Sequence, residues 1–536
     1  MFTQRSPLGG IQRPVGAWYD AEPSGRALLV LLLVFVLIWT AFQLVAYAPI
    51  GLHTDPLETF AWSRHPSLGY YKHPPLGALI AAAWFAIFPR ADWSFQLLSN
   101  VNAAVALAFI YLIARRTLDG DKRLLALLLL LLTPFYQFNA QRFASNQTLL
   151  SLWPIATYCF LRSFETRAFE ERASLWAAAA GATAALAVLG KYFSVYLVAG
   201  FIAAALAHPR RLDYLRSPAP WISILVGLAV LAPHIHWLVT TGYQPFAYAF
   251  TAHGSASLRD AVDAAVFYAV GGALYMALPF AAYCLAVRPD IETLREAFWP
   301  TDPDRRLLAI VLYVSLGLPM LTAPLLRSEL VPLWTQQGWF LLPILWLAPA
   351  RAVLPRRRAV HVALTVLIVS LAVLLAAPVL AWTRWQQDPP DDRAYFRGVA
   401  AETTRLWHET TGRRLRIVMG NPNFATAATF YSDDVPDSVP GFDLKTAPWI
   451  TEQRLDDDGF AVICRLTETA CIGAAQARIA ARTDARRVEI EVVPRFWGMT
   501  GAPERFLLIL VPPAPRTQVS SVSFRGASFS SRTRNP

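Results

Sequence analysis

The sequence predicts an α-helical polytopic membrane protein with a small α/β domain outside the bilayer near its C-terminus. Three observations carry that expectation. Of 536 residues, 55% are hydrophobic and 16% charged, against about 25% charged in an ordinary soluble domain. The apolar residues gather into long runs between short arginine-bearing stretches, and beyond Gln386 charge and polarity rise to soluble values. Four cysteines exclude a disulfide-framework protein, and a mean hydropathy of +0.37 excludes disorder over most of the length.

A helix that crosses a hydrocarbon layer of about 30 Å needs about 20 mostly apolar residues. Runs of that kind fall near 27–48, 94–114, 124–141, 143–161, 174–190, 192–207, 221–240, 262–287, 306–326, 334–349 and 360–382, which predicts eleven crossings. The apolar stretch Leu76–Phe88, bounded by Pro74-Pro75 and Pro89, is too short to cross and is predicted to lie in the interface. Cytoplasmic loops carry the Lys/Arg excess. With the N-terminus inside, the inner segments hold 21 basic residues and the outer membrane-proximal segments seven. Were Leu76–Phe88 a crossing, that bias would reverse. The net charge of +11 is therefore read as a topology signal and not as a nucleic-acid surface. Residues 1–26 are expected to be a cytoplasmic segment without a cleavable signal, and residues 27–382 the membrane domain. Eleven crossings place everything after Trp382 outside, in the periplasm of a Gram-negative cell.

The region 386–512 is expected to be a periplasmic α/β domain. Leu415–Met419, Phe460–Cys464, Val488–Val493 and Phe506–Val511 have the pattern of buried strands, with helical patterns near 394–410 and 422–431. Cys464 and Cys471 both fall in it, where a short-loop disulfide and two free thiols are both compatible with the spacing. Cys159 and Cys284 belong to membrane runs, and 513–536, rich in Ser, Arg and Thr, is expected to be disordered.

Polar chemistry outside the inner loops concentrates in the first outer loop, 49–93. It contains His53-Thr54-Asp55-Pro56-Leu57-Glu58, Trp62, and Gly69-Tyr70-Tyr71-Lys72-His73-Pro74-Pro75-Leu76, more than a connector needs. Asp55 lies a few residues after the first run, either as a helix N-cap before Pro56 or as a functional carboxylate. Glu58 is one turn further along the same face. Lys72 and His73 suit a phosphate or pyrophosphate headgroup or, equally, an interfacial anchor. Lys191, in Gly190-Lys191-Tyr192, lies where the positive-inside rule does not place a lysine, which points to an anionic partner. His234 and His236, in Pro233-His234-Ile235-His236-Trp237, precede His253. A divalent metal held by His236 and His253 is one reading of them, and hydrogen bonding to sugar or phosphate the other. Arg142 and Arg327 complete a set of outer cations. No Walker lysine loop, Gly-x-Gly-x-x-Gly or paired CxxC occurs, which argues against an ATP-driven pump, a nucleotide-binding domain or a zinc ribbon.

Taken together, Asp-x-x-Glu after the first run, Trp62, Gly-Tyr-Tyr-Lys-His-Pro-Pro-Leu, Gly-Lys-Tyr, and Pro-His-Ile-His-Trp-Leu before Gln244-Pro245-Phe246 resemble one known family. It is the bacterial protein-mannosyltransferase-like branch of the GT-C glycosyltransferases (families 39 and 83), which includes lipid A aminoarabinose transferases and rhizobial core galacturonosyltransferases. The resemblance covers residues 27 to about 350. It implies a GT-C fold and an inverting transfer of a sugar from a polyprenyl-phosphate donor to a lipid, glycolipid or other acceptor outside the inner membrane. It further implies that Asp55 is the general base, and that Lys72 and Lys191, with Arg142 and Arg327, are the donor-phosphate cations. Glu58, Trp62, Tyr70, Tyr71, His73, His234 and His236 are the expected substrate contacts. Many relatives carry Asp-Glu adjacent, whereas here Pro56 follows Asp55. No nucleic acid is expected as a partner and no cofactor is assigned beyond the metal alternative. A transporter or flippase of lipid-linked sugar, or an O-antigen ligase or polymerase, are the competing readings. Neither an inverted repeat nor a matching pair of broken helices is present to favour a carrier, and the early position of the long loop disfavours a ligase.

Overall fold

The computed structural model of the protein describes residues 9–165, 171–388 and 390–514; Arg5, Arg167 and the tail from 515 onwards lie outside them. Seven of the eleven expected runs form helices long and apolar enough to cross a bilayer: Arg26–Ala46, Asp92–Thr117, Arg172–Gly190, Ala219–Thr240, Leu258–Val287, Pro303–Leu326 and Arg356–Trp385. The other four are also helical but differ in kind. Asp121–Leu130 is followed by a wide helical turn at Phe135–Asn139, Val195–Ala207 is short, and the run at 334–349 is two tight turns and the six-residue helix Leu342–Leu347. Ser145–Glu165 is long but carries the buried polar residues Gln147, Thr148, Ser151, Thr157 and Ser163. Leu124–Leu130 and Leu342–Leu347 are buried throughout. Segments enclosed by other helices have no lipid to span, so they need neither the length nor the uniform apolarity of a lipid-facing helix. Helix length alone therefore does not reproduce the count of eleven.

The first loop folds as two short helices, Thr54–Ser63 and Leu76–Phe85, packed on one another. The second begins after Pro75 and ends just past Phe85, matching the expected non-crossing helix.

From Arg393 to Val511 the chain builds a five-stranded sheet. Its strands are β1 (Ile417–Gly420), β2 (Asp437–Pro440), β3 (Phe460–Arg465), β4 (Arg486–Val492) and β7 (Glu504–Val511), in the order β2-β1-β3-β7-β4; β5 (Arg495–Phe496) and β6 (Met499–Thr500) form a separate small hairpin. The β2-β1-β3 part is parallel and β3-β7-β4 antiparallel. Alternate residues of the central strands enter two different cores. Val418, Ala461, Ile463, Leu508 and Leu510 pack under helices Arg393–Thr411 and Pro422–Tyr431, while Ile417, Met419, Val462, Cys464, Ile509 and Val511 pack with Leu455, Ala475 and Ile479. A sheet covered on both faces reads as continuous apolar runs, which is why these strands were visible in the sequence. Cys464 and Cys471 form a disulfide joining β3 to the Thr469–Arg478 helix, and Cys159 and Cys284 are free.

The first loop lies between the bundle and this domain. Phe60 meets Phe85 at 5.1 Å and Phe430 at 5.0 Å, both edge-on. The Arg90 guanidinium donates to the Phe430 and Ser432 carbonyls at the end of the Pro422–Tyr431 helix, satisfying acceptors a helix C-terminus leaves open. Asp437 is 5% exposed and receives Arg64 at 3.4 Å, His65 Nε2 at 2.7 Å and Arg454 at 2.7 Å. Gly51 turns the chain at φ +71°, with the Tyr431 hydroxyl oxygen 2.6 Å from where a Cβ would stand; no other residue fits both constraints.

Candidate functional site

The Thr54–Ser63 helix places Asp55 and Glu58 at the end of the bundle that faces the C-terminal domain. Its N-cap is His53, whose Nδ1 accepts the Asp55 N–H at 3.2 Å. The capping alternative for Asp55 is thereby corrected: the helix starts at Thr54, two residues earlier than Pro56 suggests, and Asp55 occupies its first turn with its side chain 51% exposed. Asp55 Oδ2 lies 3.4 Å from the same His53 nitrogen. Burial raises the Asp55 carboxyl, but the neighbouring His53 ring, with Arg142 and Lys72 behind it, outweighs that and holds it below the usual carboxylate range. Asp55 is ionised at neutral pH.

Glu58 is not a loose loop charge. It receives the Lys72 ammonium at 2.8 and 3.0 Å and the Tyr71 hydroxyl at 3.2 Å. Burial by itself would drive both partners towards neutrality, raising the carboxyl and lowering the ammonium. For Lys72 the adjacent carboxylate reverses this and lifts its pKa above the ordinary value, so the pair is ionic. Lys72 also stands 5.5 Å from the Tyr248 ring centroid. The expected free phosphate cation is thus already engaged, and an incoming anion shares it with Glu58.

Lys191 reaches the site from the turn between Arg172–Gly190 and Val195–Ala207. It donates to Asn146 Oδ1 at 2.5 Å and stands over Trp334 at 4.4 Å. Burial draws its ammonium down to about 8, against the upward pull of Asp55. Trp334 also meets His253 edge-on at 5.3 Å. His73 lies among these groups: burial pushes its imidazole down to about 3, with Lys191 and Lys72 adding to the effect. It is therefore neutral and makes no ring hydrogen bond among the described residues. Two carboxylates, two lysines and a neutral histidine converge here, with Asp55 carrying the exposed oxygen.

The remaining expected site residues separate into scaffold and periphery. Trp62 and Tyr70 are buried and stacked at 5.0 Å, and the Tyr70 hydroxyl donates to the Trp62 and His65 carbonyls. They hold the loop's shape. His234 is 3% exposed with both nitrogens used: Nδ1–H donates to the Leu68 carbonyl at 2.6 Å and Nε2 meets the Tyr192 hydroxyl at 2.9 Å. In this structure it ties the first loop to the Ala219–Thr240 helix, where Gly69 lets the Trp237 ring come closer than a Cβ would allow. His236, two residues on, is exposed on the opposite side of the helix, as a 100° turn per residue requires. Among the described residues no group of three or more His, Cys, Asp or Glu side chains is placed to hold a metal ion, so the pairing of His236 with His253 gains no support. Arg142 is exposed beside His53 in a small pocket with Tyr47, Gln96 and Arg393. Arg327 is exposed in a left-handed turn, φ 47°, and its guanidinium makes no hydrogen bond or ion pair among the described residues.

Residues 72–237 match the family model described as dolichyl-phosphate-mannose-protein mannosyltransferase. Two solved structures of ArnT from Cupriavidus metallidurans superpose on this chain with a TM-score of 0.54. The one bound to undecaprenyl phosphate is 14% identical over 90% of this chain and 97% of that one. The apo one is 13% identical over 91% and 98%. The chain shares the fold of these ArnT structures, the GT-C fold that the resemblance implies. A search of curated proteins found no match. At such identity the ArnT likeness establishes the fold alone, and the site rests on its own geometry. The family segment holds Lys72, His73, Asn146, Lys191 and His234 but not Asp55, which precedes it by 17 positions.

Four contributors escaped sequence reasoning. Asn146 and Trp334 position Lys191, Tyr248 lies under Lys72, and Asp437 clamps the first loop. Each comes from a distant part of the chain and none has a local signature; only the position of Asn146 soon after Arg142 could have drawn notice.

Proposed function

We propose that the protein is an inverting glycosyltransferase that moves a sugar from a polyprenyl-phosphate donor to the hydroxyl of a lipid or glycolipid acceptor on the periplasmic face of the inner membrane. The observation that carries this is Asp55, an ionised and half-exposed carboxylate with His53 and Arg142 on one hand and Lys72 and Lys191 on the other. In this reading Lys191, oriented by Asn146 and Trp334, and Lys72, shared with Glu58, hold the donor phosphate. The acceptor hydroxyl gives its proton to Asp55 as its oxygen bonds to the anomeric carbon. The bond from that carbon to the phosphate oxygen breaks in the same displacement, inverting the centre, and the lysines stabilise the phosphate that leaves. In the same reading His73, neutral and with no ring hydrogen bond among the described residues, hydrogen-bonds the sugar. The ArnT structure that binds undecaprenyl phosphate has the same fold, which supports a polyprenyl phosphate as carrier. Counting the short enclosed helices among eleven crossings, with the N-terminus inside, puts this site and the C-terminal domain outside.

The test is transfer itself. Purified full-length protein, given a panel of polyprenyl-phosphate sugars and a lipid extract, is expected to form new glycolipids detectable by mass spectrometry. The same glycolipids should be absent from cells without the gene. Movement of the donor across proteoliposomes with no new glycosidic bond would support a flippase and overturn the proposal.

A further inference from the structure

A second polar cleft lies away from the lysines, where the end of the Arg26–Ala46 helix and the start of the Asp92–Thr117 helix meet the C-terminal domain. Its volume is about 540 Å³, and its walls include Tyr47, Arg90, Trp93, Arg397, Tyr431 and Asp433, within the size range of small-ligand sites. Leu44 and Trp93, at its lip, are 41% and 40% exposed. An exposed leucine on a membrane helix and a tryptophan at a helix start mark the depth where acyl chains give way to headgroups.

The charges inside are balanced. Arg90 uses only Nη1 for the Phe430 and Ser432 carbonyls; its Nε and Nη2 make no hydrogen bond among the described residues, although a guanidinium has five donors. Arg397, 48% exposed, pairs with Asp92, lies over Tyr431 at 5.1 Å, and keeps its Nε undonated among the described residues. Asp433 is exposed, within electrostatic reach of Arg90, and accepts no side-chain hydrogen bond among the described residues. Spare guanidinium donors suit a phosphate. A spare carboxylate in a cleft also lined by Trp93 suits an ammonium. Two arginines against Asp92 and Asp433 leave no net charge to favour an anionic lipid over a zwitterion.

We propose that this cleft seats the phosphoethanolamine-type head of a phospholipid from the leaflet on the C-terminal domain's side, with phosphate on Arg90 and Arg397 and ammonium on Asp433. The site is separate from the lysine cluster and does not depend on the transfer reading. It shares Tyr47 and Gln96 with the small pocket that holds His53 and Arg142, so a bound head abuts the Asp55 side of the protein.

The experiment is native mass spectrometry of the full-length protein released from detergent with equimolar phosphatidylethanolamine, phosphatidylglycerol and phosphatidylcholine. The first bound lipid is expected to be phosphatidylethanolamine by about tenfold, the worth of one charge-assisted hydrogen bond that a quaternary ammonium or a glycerol cannot replace. Asp433→Asn should abolish that preference, and equimolar inorganic phosphate should leave the bound-lipid count unchanged. Equal retention of the three lipids, an unchanged preference in Asp433→Asn, or displacement by inorganic phosphate would each overturn the assignment.

Discussion

Replacing Lys191 by alanine tests the donor half of the site. The ammonium is held at 2.5 Å by Asn146 and at 4.4 Å over Trp334, so its position is set before any ligand arrives. Opposite unit charges about 4 Å apart attract by about 4 kcal/mol at an effective dielectric of about 20. Loosening the Asn146 hydrogen bond and the Trp334 contact to serve a phosphate offsets about 2 kcal/mol of that. The remaining loss of about 2 kcal/mol corresponds to about a 30-fold rise in Kd for a polyprenyl phosphate. Maximal transfer rate should fall by less. Titration of the purified protein with a short-chain polyprenyl phosphate, followed by tryptophan fluorescence, measures it. A Kd within twofold of the unaltered protein would refute the reasoning and leave Lys191 a packing residue.

Three further expectations concern the same region. Asp55 must be ionised and Lys191 protonated, so kcat/KM should stay level through neutral pH and fall only below the usual carboxylate range, where Asp55 takes up its proton. It should fall again above about 8 as Lys191 loses its own. A profile still rising at high pH would contradict this, and Lys191→Arg should carry the alkaline limb upward. Glu58→Gln removes the carboxylate that competes for Lys72 and should tighten polyprenyl-phosphate binding about threefold, a fraction of a charge-assisted bond; weaker binding would show that Glu58 orients Lys72 for the ligand. Asp437→Ala leaves Arg64 and His65 without their carboxylate and Arg454 with Asp458 alone, and because these three are 28–30% exposed the loss should be about 2 kcal/mol, less than for a fully buried pair. Burial raises the Asp437 carboxyl, but His65, Arg64 and Arg454 lower it further, so its pKa is depressed. Its stabilisation is present above the unfolded carboxyl range and lost as pH falls through the folded value. The Tm gap between Asp437→Ala and the unaltered protein should close on acidification, and a constant gap would contradict the clamp.

The membrane helices that face lipid, and the strands covered on both sides, were legible because composition alone marks them. The enclosed helices were legible as apolar runs but not in length: Leu342–Leu347 is surrounded by protein, and nothing local tells an enclosed run from a spanning one. In the site, Asp55, Lys72 and Lys191 stood out as charges where topology gives them no reason to be. Their pairing did not. The engagement of Lys72 by Glu58 needs the loop to fold back across 14 positions, and that of Lys191 by Trp334 joins residues more than a hundred apart. His234 shows what a sequence leaves out: a histidine in a membrane helix suggests function, and the structure adds that both its nitrogens hold the loop to the bundle. β2 was missed because Asp437 and Pro440 break the apolar pattern, and Asp437 is there for the clamp.

The most direct test of the account is Asp55→Asn, with sugar transfer and donor affinity measured on the same preparation. Loss of a general base predicts a fall in transfer of about a thousandfold, with the polyprenyl-phosphate Kd within about twofold because the lysines are untouched. Turnover near that of the unaltered protein would mean that the acceptor proton goes elsewhere, and the assignment of Asp55 as base would be wrong.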